Sequence, residues 1–203
     1  MERIVDLSYK HRMSHLGSSL TMSPILEEIY NNKHKDDIVV LSAGHAGLAQ
    51  YVQIEKHSNN LINAEDLLNS MGIHPKRNVK CGIYVSTGSL GSGILVSVGL
   101  ALANKNRKIY CVLSDGECAE GSVWEALAFC NTMNIQNIEV HVNINGFSAY
   151  DALDRNYLEN RLKVFLPSII LHQTKNPEFL GGLNAHYHIL KSEDEKNNLL
   201  LNL

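Results

Sequence analysis

Two apolar stretches, each ending on a polar turn, constrain the fold more than anything else in this chain. Residues 109–113 read Ile-Tyr-Cys-Val-Leu and deliver Ser114-Asp115-Gly116. Residues 138–142 deliver Asn145-Gly146-Phe147, and a helical pattern over 121–133 lies between the two. That strand–helix–strand order predicts parallel neighbours joined by a right-handed crossover. Parallel neighbours end at the same sheet edge, which would bring an Asp carboxylate and an Asn carbonyl oxygen together. Such a pair suits a hard divalent cation that takes its remaining ligands from a diphosphate and water.

The rest of the chain alternates in the same way. Residues 1–12 read as a short helix, and residues 14–19 as a loop. Ser23 then suits an N-cap and Pro24 the first position of a second helix, with Glu27 and Glu28 at its positive end. A β-branched strand is expected at 38–41, followed by Ser42-Ala43-Gly44-His45-Ala46-Gly47 and a helix to about residue 55. Residues 57–82 are polar and irregular apart from a short helix at 64–70. The loop Thr87-Gly88-Ser89-Leu90-Gly91-Ser92-Gly93 leads into a helix over 94–103, whose small and aliphatic residues predict burial on most sides. A further strand is expected at 166–171, with Pro167 at its start, and residues 193–203 read as a docking helix or a flexible tail.

This alternation predicts an α/β fold: a three-layer αβα, doubly wound, mostly parallel sheet forming a single domain over 1–203. Ligands in such folds bind beyond the carboxyl ends of the strands. The loops at 42–47, 114–116 and 143–147 all fall at that edge.

A net charge of −3 gives no electrostatic case for nucleic acid or a membrane surface. No apolar run approaches the ~18 residues of a membrane span, and the N-terminus lacks a signal-peptide core. The four cysteines show no CxxC spacing, so reduced, buried thiols and a cytoplasmic setting are expected. His11, His34, His57, His141 and His172 receive no role, and the histidines have no zinc-ligand spacing.

Five spaced motifs, taken in order, resemble the N-terminal, diphosphate-binding domain of transketolase, in the split form where that domain is a separate subunit. They are Ser14-His15-Leu16-Gly17, Leu41-Ser42-Ala43-Gly44-His45, Ile73-His74-Pro75, the glycine loop at 87–93, and Ser114-Asp115-Gly116 through Asn145-Gly146. The match covers about residues 8–190.

The resemblance implies thiamine diphosphate and Mg²⁺ (or Ca²⁺ or Mn²⁺) as cofactors. It places Asp115 and Asn145 on the metal through their side chains and Phe147 through its carbonyl. It places Gly116 and His45 at the diphosphate, and Gly88 and Leu90 beside the aminopyrimidine. His15, His74 and His186 would face the substrate channel, with His188 competing for the role of His186. Glu120 and Glu125 would sit at a subunit interface. The implied reaction is transfer of a two-carbon ketol unit between sugars or sugar phosphates. It requires a partner chain carrying the pyrimidine-binding and C-terminal domains, in an α2β2 assembly.

Several features depart from the family pattern. Ser114 stands where the family has glycine, and no proline follows His15. The strand at 138–143 alternates polar with apolar residues, and the stretch between Asn145 and the next strand is short, which reduces the substrate-side wall. Two rivals stay open: the α-subunit of another thiamine diphosphate enzyme, such as a 2-oxoacid dehydrogenase or decarboxylase, and a non-catalytic, regulatory subunit.

Overall fold

Four short apolar segments pair side by side in a computed structural model, which describes residues 1–148, 151–180 and 186–203. Strands β1 (Ile38–Leu41), β2 (Ile109–Ser114), β3 (Ile138–Ile144) and β4 (Ile170–Gln173) form one parallel sheet in the order β1-β2-β3-β4. The register sets Ser114 beside Asn143, so the turns carrying Asp115 and Asn145 leave the sheet together.

Helices cover both faces although the strand order never reverses. On one face, α5 (Ser92–Ala103), α6 (Gly121–Thr132) and α7 (Arg155–Phe165) bury Cys111, Leu113, Val140, Val142 and Ile144. On the other, α1 (Glu2–Lys10), α2 (Leu16–Asn32), α3 (Gly47–His57) and α4 (Ala64–Met71) bury Val39, Leu41, Tyr110 and Val112. Among the described residues, no helix is long and apolar enough to cross a membrane.

Five local expectations are corrected. Helix α2 begins at Leu16 and carries Pro24 in its interior. An interior proline costs about 3 kcal/mol, but the helix buries Leu16, Leu20, Met22, Ile25, Leu26 and Ile29, which outweighs it. The loop expected at 14–19 therefore shrinks to the residues before Leu16. Helix α7 has no counterpart among the expected elements, although Asp154 caps it by accepting from the Tyr157 N–H at 3.0 Å. Leu158 and Leu162, one helical turn apart, are its buried positions. Pro167 follows the end of that helix instead of opening a strand, so β4 starts at Ile170. Helix α5 is not buried on most sides: Leu95 is 48% exposed, and Val96 and Leu102 are 44% exposed.

Of the two readings of 193–203, the helix is the one seen. In α8 (Glu193–Leu201), Leu199 is buried and Lys196 reaches Asp6 of α1 at 3.3 Å.

The polar alternation of β3 has a partner for each side chain. His141, 3% exposed, lies 2.9 Å from Glu139 and 2.9 Å from His172. Asn143 donates to Thr21 Oγ1 at 2.9 Å and accepts from Thr174 Oγ1 at 2.5 Å. A strand covered on both faces tolerates these groups because each is hydrogen-bonded.

Candidate active site

A cleft of about 440 Å³ opens beyond the carboxyl ends of the strands. His15, His45, His74, Gly88, Leu90, Asp115, Gly116, Asn145, Phe147 and His186 all line it. These are all the site residues the resemblance implied, except Glu120, Glu125 and the competing His188. Glu120 is half-buried at the start of α6, its Cβ close to where a side chain on Gly91 would lie, and Glu125 is exposed on α6.

Asp115 is the electrostatic centre. It follows the last residue of β2, opens a 3₁₀ turn over Asp115–Ala119, and is 1% exposed. Its Oδ2 accepts from the Asn145 and Gly146 N–H groups at 2.8 Å each, and its Oδ1 from the Gly116 N–H at 3.0 Å. Burial pushes its carboxyl up to about 6, against the pull of these backbone amides. Asn145 Oδ1 accepts from the Phe147 N–H at 3.1 Å, and Arg155 Nη2 donates to the Asn145 carbonyl at 2.6 Å. Arg155 thus buttresses the turn from α7. Ser114 has φ −102 and ψ 159, ordinary extended backbone. Glycine is not needed there, and the departure at that position brings no strain.

The opposite wall is built of imidazoles. The His15 ring centroid lies 3.9 Å from His186, 5.8 Å from His45 and 6.5 Å from His74. His15 precedes α2 in the left-handed region (φ 63), its N–H donates to the His186 carbonyl at 3.1 Å, and Ser14 Oγ lies 2.8 Å from its Nδ1. Burial first, then the neighbouring imidazoles, push His45 down to about 3 and His15 to about 4; burial also lowers His186. His188 stands apart, 2.6 Å from Glu195.

Sequence reasoning missed several members of the site. Ser18, Asn176, Leu180 and Tyr187 also line the cleft, so the chain after β4 supplies much of the wall expected to be reduced. No local pattern marks Asn176. Glu117 carries a usable signal that was missed: Ser114-x-x-Glu117 has capping-box spacing, and its Oε2 accepts from the Ser114 N–H at 3.1 Å.

The donor set suits a cation–diphosphate ligand. A buried carboxylate, an amide oxygen and a backbone carbonyl are hard oxygen donors of the kind Mg²⁺ takes beside phosphate. Asn176 Oδ1, buried in the same cleft, has no hydrogen-bond partner among the described residues. A polar ligand would satisfy it.

Comparison with known proteins decides the family. Residues 4–166 match the family model described as transketolase, thiamine diphosphate binding domain. The chain belongs to that family. It is 32% identical over 162 residues to an apulose-4-phosphate transketolase subunit from Phocaeicola vulgatus, a match covering 71% of this chain and 57% of the relative. It is 31% identical over 151 residues to the 6-deoxy-6-sulfo-D-fructose transketolase subunit SqwG from a Clostridium species, covering 66% and 55%. Among solved structures, transketolase from Leishmania mexicana superposes with a TM-score of 0.68 at 21% identity, covering 81% of this chain and 29% of that one. The transketolase-like chain thus spans just over half the length of these subunit relatives and under a third of that larger enzyme.

Proposed function

We propose that this chain is the diphosphate-binding subunit of a two-chain transketolase that moves a two-carbon ketol unit from a ketose donor to an aldose-type acceptor. The observation that carries the reading is the convergence of Asp115, Asn145 and four histidines on one cleft. Asp115, Asn145 and the Phe147 carbonyl hold Mg²⁺, with Ca²⁺ or Mn²⁺ able to replace it. His45 contacts the diphosphate with the Gly116 backbone, and Gly88 and Leu90 pack beside the aminopyrimidine. Thiamine diphosphate, when bound, supplies the carbon nucleophile and the electron sink for cleaving a bond next to a carbonyl. His15, His74 and His186 bind sugar hydroxyls and carry protons. A neutral imidazole donates through one nitrogen and accepts through the other, as hydroxyl recognition requires. This cluster favours a polyhydroxylated substrate over a 2-oxoacid.

A partner chain supplies the pyrimidine-binding and C-terminal domains in an α2β2 assembly. The half-exposed Leu95, Val96 and Leu102 of α5, with Glu120 at the start of the neighbouring α6 and Glu125 on it, form its docking surface. The two relatives are named for sugars bearing a phosphate or a sulfo group. The described residues that line this cleft include no Lys or Arg, so recognition of an anionic sugar terminus falls to the partner. The reaction takes place in the cytoplasm.

The test is to co-purify this chain with its partner, add thiamine diphosphate and Mg²⁺, and follow ketol transfer. Activity is expected only with both chains and both cofactors. Activity of this chain alone removes the partner requirement, and absence of cofactor binding by the pair overturns the cofactor reading.

A further inference from the structure

Three loops must keep a fixed spacing for this cleft to exist. The loop after β1 carries His45, the loop before α5 carries Gly88 and Leu90, and the turn after β2 carries Asp115. One buried side chain touches all three. We propose that Glu117 is the positioning residue that holds these loops in register, as a carboxylate clasp behind the cleft.

Glu117 is 0% exposed and is not among the residues lining the cleft. Its Oε1 accepts from the Ser42 hydroxyl at 2.6 Å and from the Gly91 N–H at 2.9 Å, and its Oε2 accepts from the Ser114 N–H at 3.1 Å. Those partners lie 75, 26 and 3 residues away in sequence. Ser42 opens the loop to His45, Gly91 immediately follows Leu90, and Ser114 immediately precedes Asp115. Because Glu117 belongs to the Asp115 turn, it carries the metal-binding end with it.

The donor pattern explains the residue type. The site offers three donors, so both side-chain oxygens must accept. Glutamine has one oxygen, and its amide N–H would meet either the Ser114 N–H or the Ser42–Gly91 pair. A buried carboxylate with fewer partners would carry an uncompensated desolvation cost, so its burial requires all three loops in place. Gly91 completes the lock from the other side. Its φ of +71 and the close placement of Ser122 Oγ and the Glu120 side chain leave no room for a Cβ. Its carbonyl accepts from Ser122 Oγ of α6 at 3.1 Å. A shift of about 1 Å between cofactor and substrate groups can cost ~100-fold in rate, so a residue that touches neither still governs both.

The inference rests on the proposed function only for what the loops hold; the clasp itself is tested without any ligand. Amide hydrogen exchange is measured on the full chain for the wild type, Glu117→Gln and Ser42→Ala. In Glu117→Gln, segments 42–47, 86–93 and 114–119 should lose protection together by about tenfold or more, while α1 and α4 keep theirs. Ser42→Ala should show a weaker version centred on 42–47. With the partner present, the affinity of Glu117→Gln for thiamine diphosphate and Mg²⁺ should fall ~10–100-fold, as for other supporting groups behind a metal. Loss of protection confined to 114–119, or spread evenly through the chain in both variants, overturns the clasp. A wild-type pair that binds no cofactor overturns the proposed function, and the exchange pattern still decides the clasp.

Discussion

At one end of the cleft, three backbone amides and a buttressing arginine hold Asp115 and the Asn145 turn. At the other, His15, His45, His74 and His186 meet through ring contacts, and among the described residues one backbone bond, from the His15 N–H to the His186 carbonyl, ties two of them. The first arrangement is preorganised for a fixed, strongly charged group, where small displacements are costly. The second suits a substrate that changes during turnover, because neutral imidazoles can exchange donor and acceptor roles.

The comparison breaks most sharply at Asp115. Asp115→Ala should reduce metal-dependent thiamine diphosphate affinity by at least about 100-fold, since even supporting groups reach that loss. Calorimetric titration of the partnered protein measures it, and unchanged affinity would separate the polar end from cofactor binding. Gly88→Ala tests the histidine end. Gly88 has φ +144, and a Cβ there would lie 3.0 Å from His74 Cδ2. The strain should cost roughly 1–3 kcal/mol of stability and displace His74, seen as a lower Tm and a raised KM for the sugar.

A smaller loss is expected at the buttress. Arg155→Ala should weaken metal affinity by about tenfold, with Arg155→Lys recovering part of it. The last test concerns pH. His15 and His45 have folded values of about 4 and about 3, below the usual 6.5, because of burial and the neighbouring His186 and His74. The unfolded chain therefore binds more protons below pH 6.5. Their contribution to stability is present above that pH and is lost as pH falls toward the folded values. Denaturant unfolding at pH 5 and pH 7.5 should show this slope, and a His15→Gln/His45→Gln variant should flatten it.

Much of the fold and the site was legible locally. Strand β1 forms at the residues its β-branched run marks, and β2 and β3 nearly so, because an apolar run ending at a polar turn is a short-range signal. Start signals served less well. Ser23-Pro24 reads as a helix start, yet α2 begins just over two turns earlier because its buried face reaches to Leu16. Asp154 is a usable cap signal for α7, but the helix behind it buries only Leu158 and Leu162, a weak apolar pattern.

By itself the sequence determined the alternation of strands and helices apart from α7, and the edge where the polar turns gather. Each of these depends on periodicity or on residues adjacent in the chain. Only the tertiary structure decided that the tail is a docked helix, that α5 keeps an exposed apolar face, that Asn176 completes a wall, and that Glu117 joins three loops. Those outcomes depend on partners far apart in the chain, such as Ser42 and Glu117, 75 residues apart. A side chain's burial and hydrogen bonds are set by what folds against it, and no local pattern carries that information.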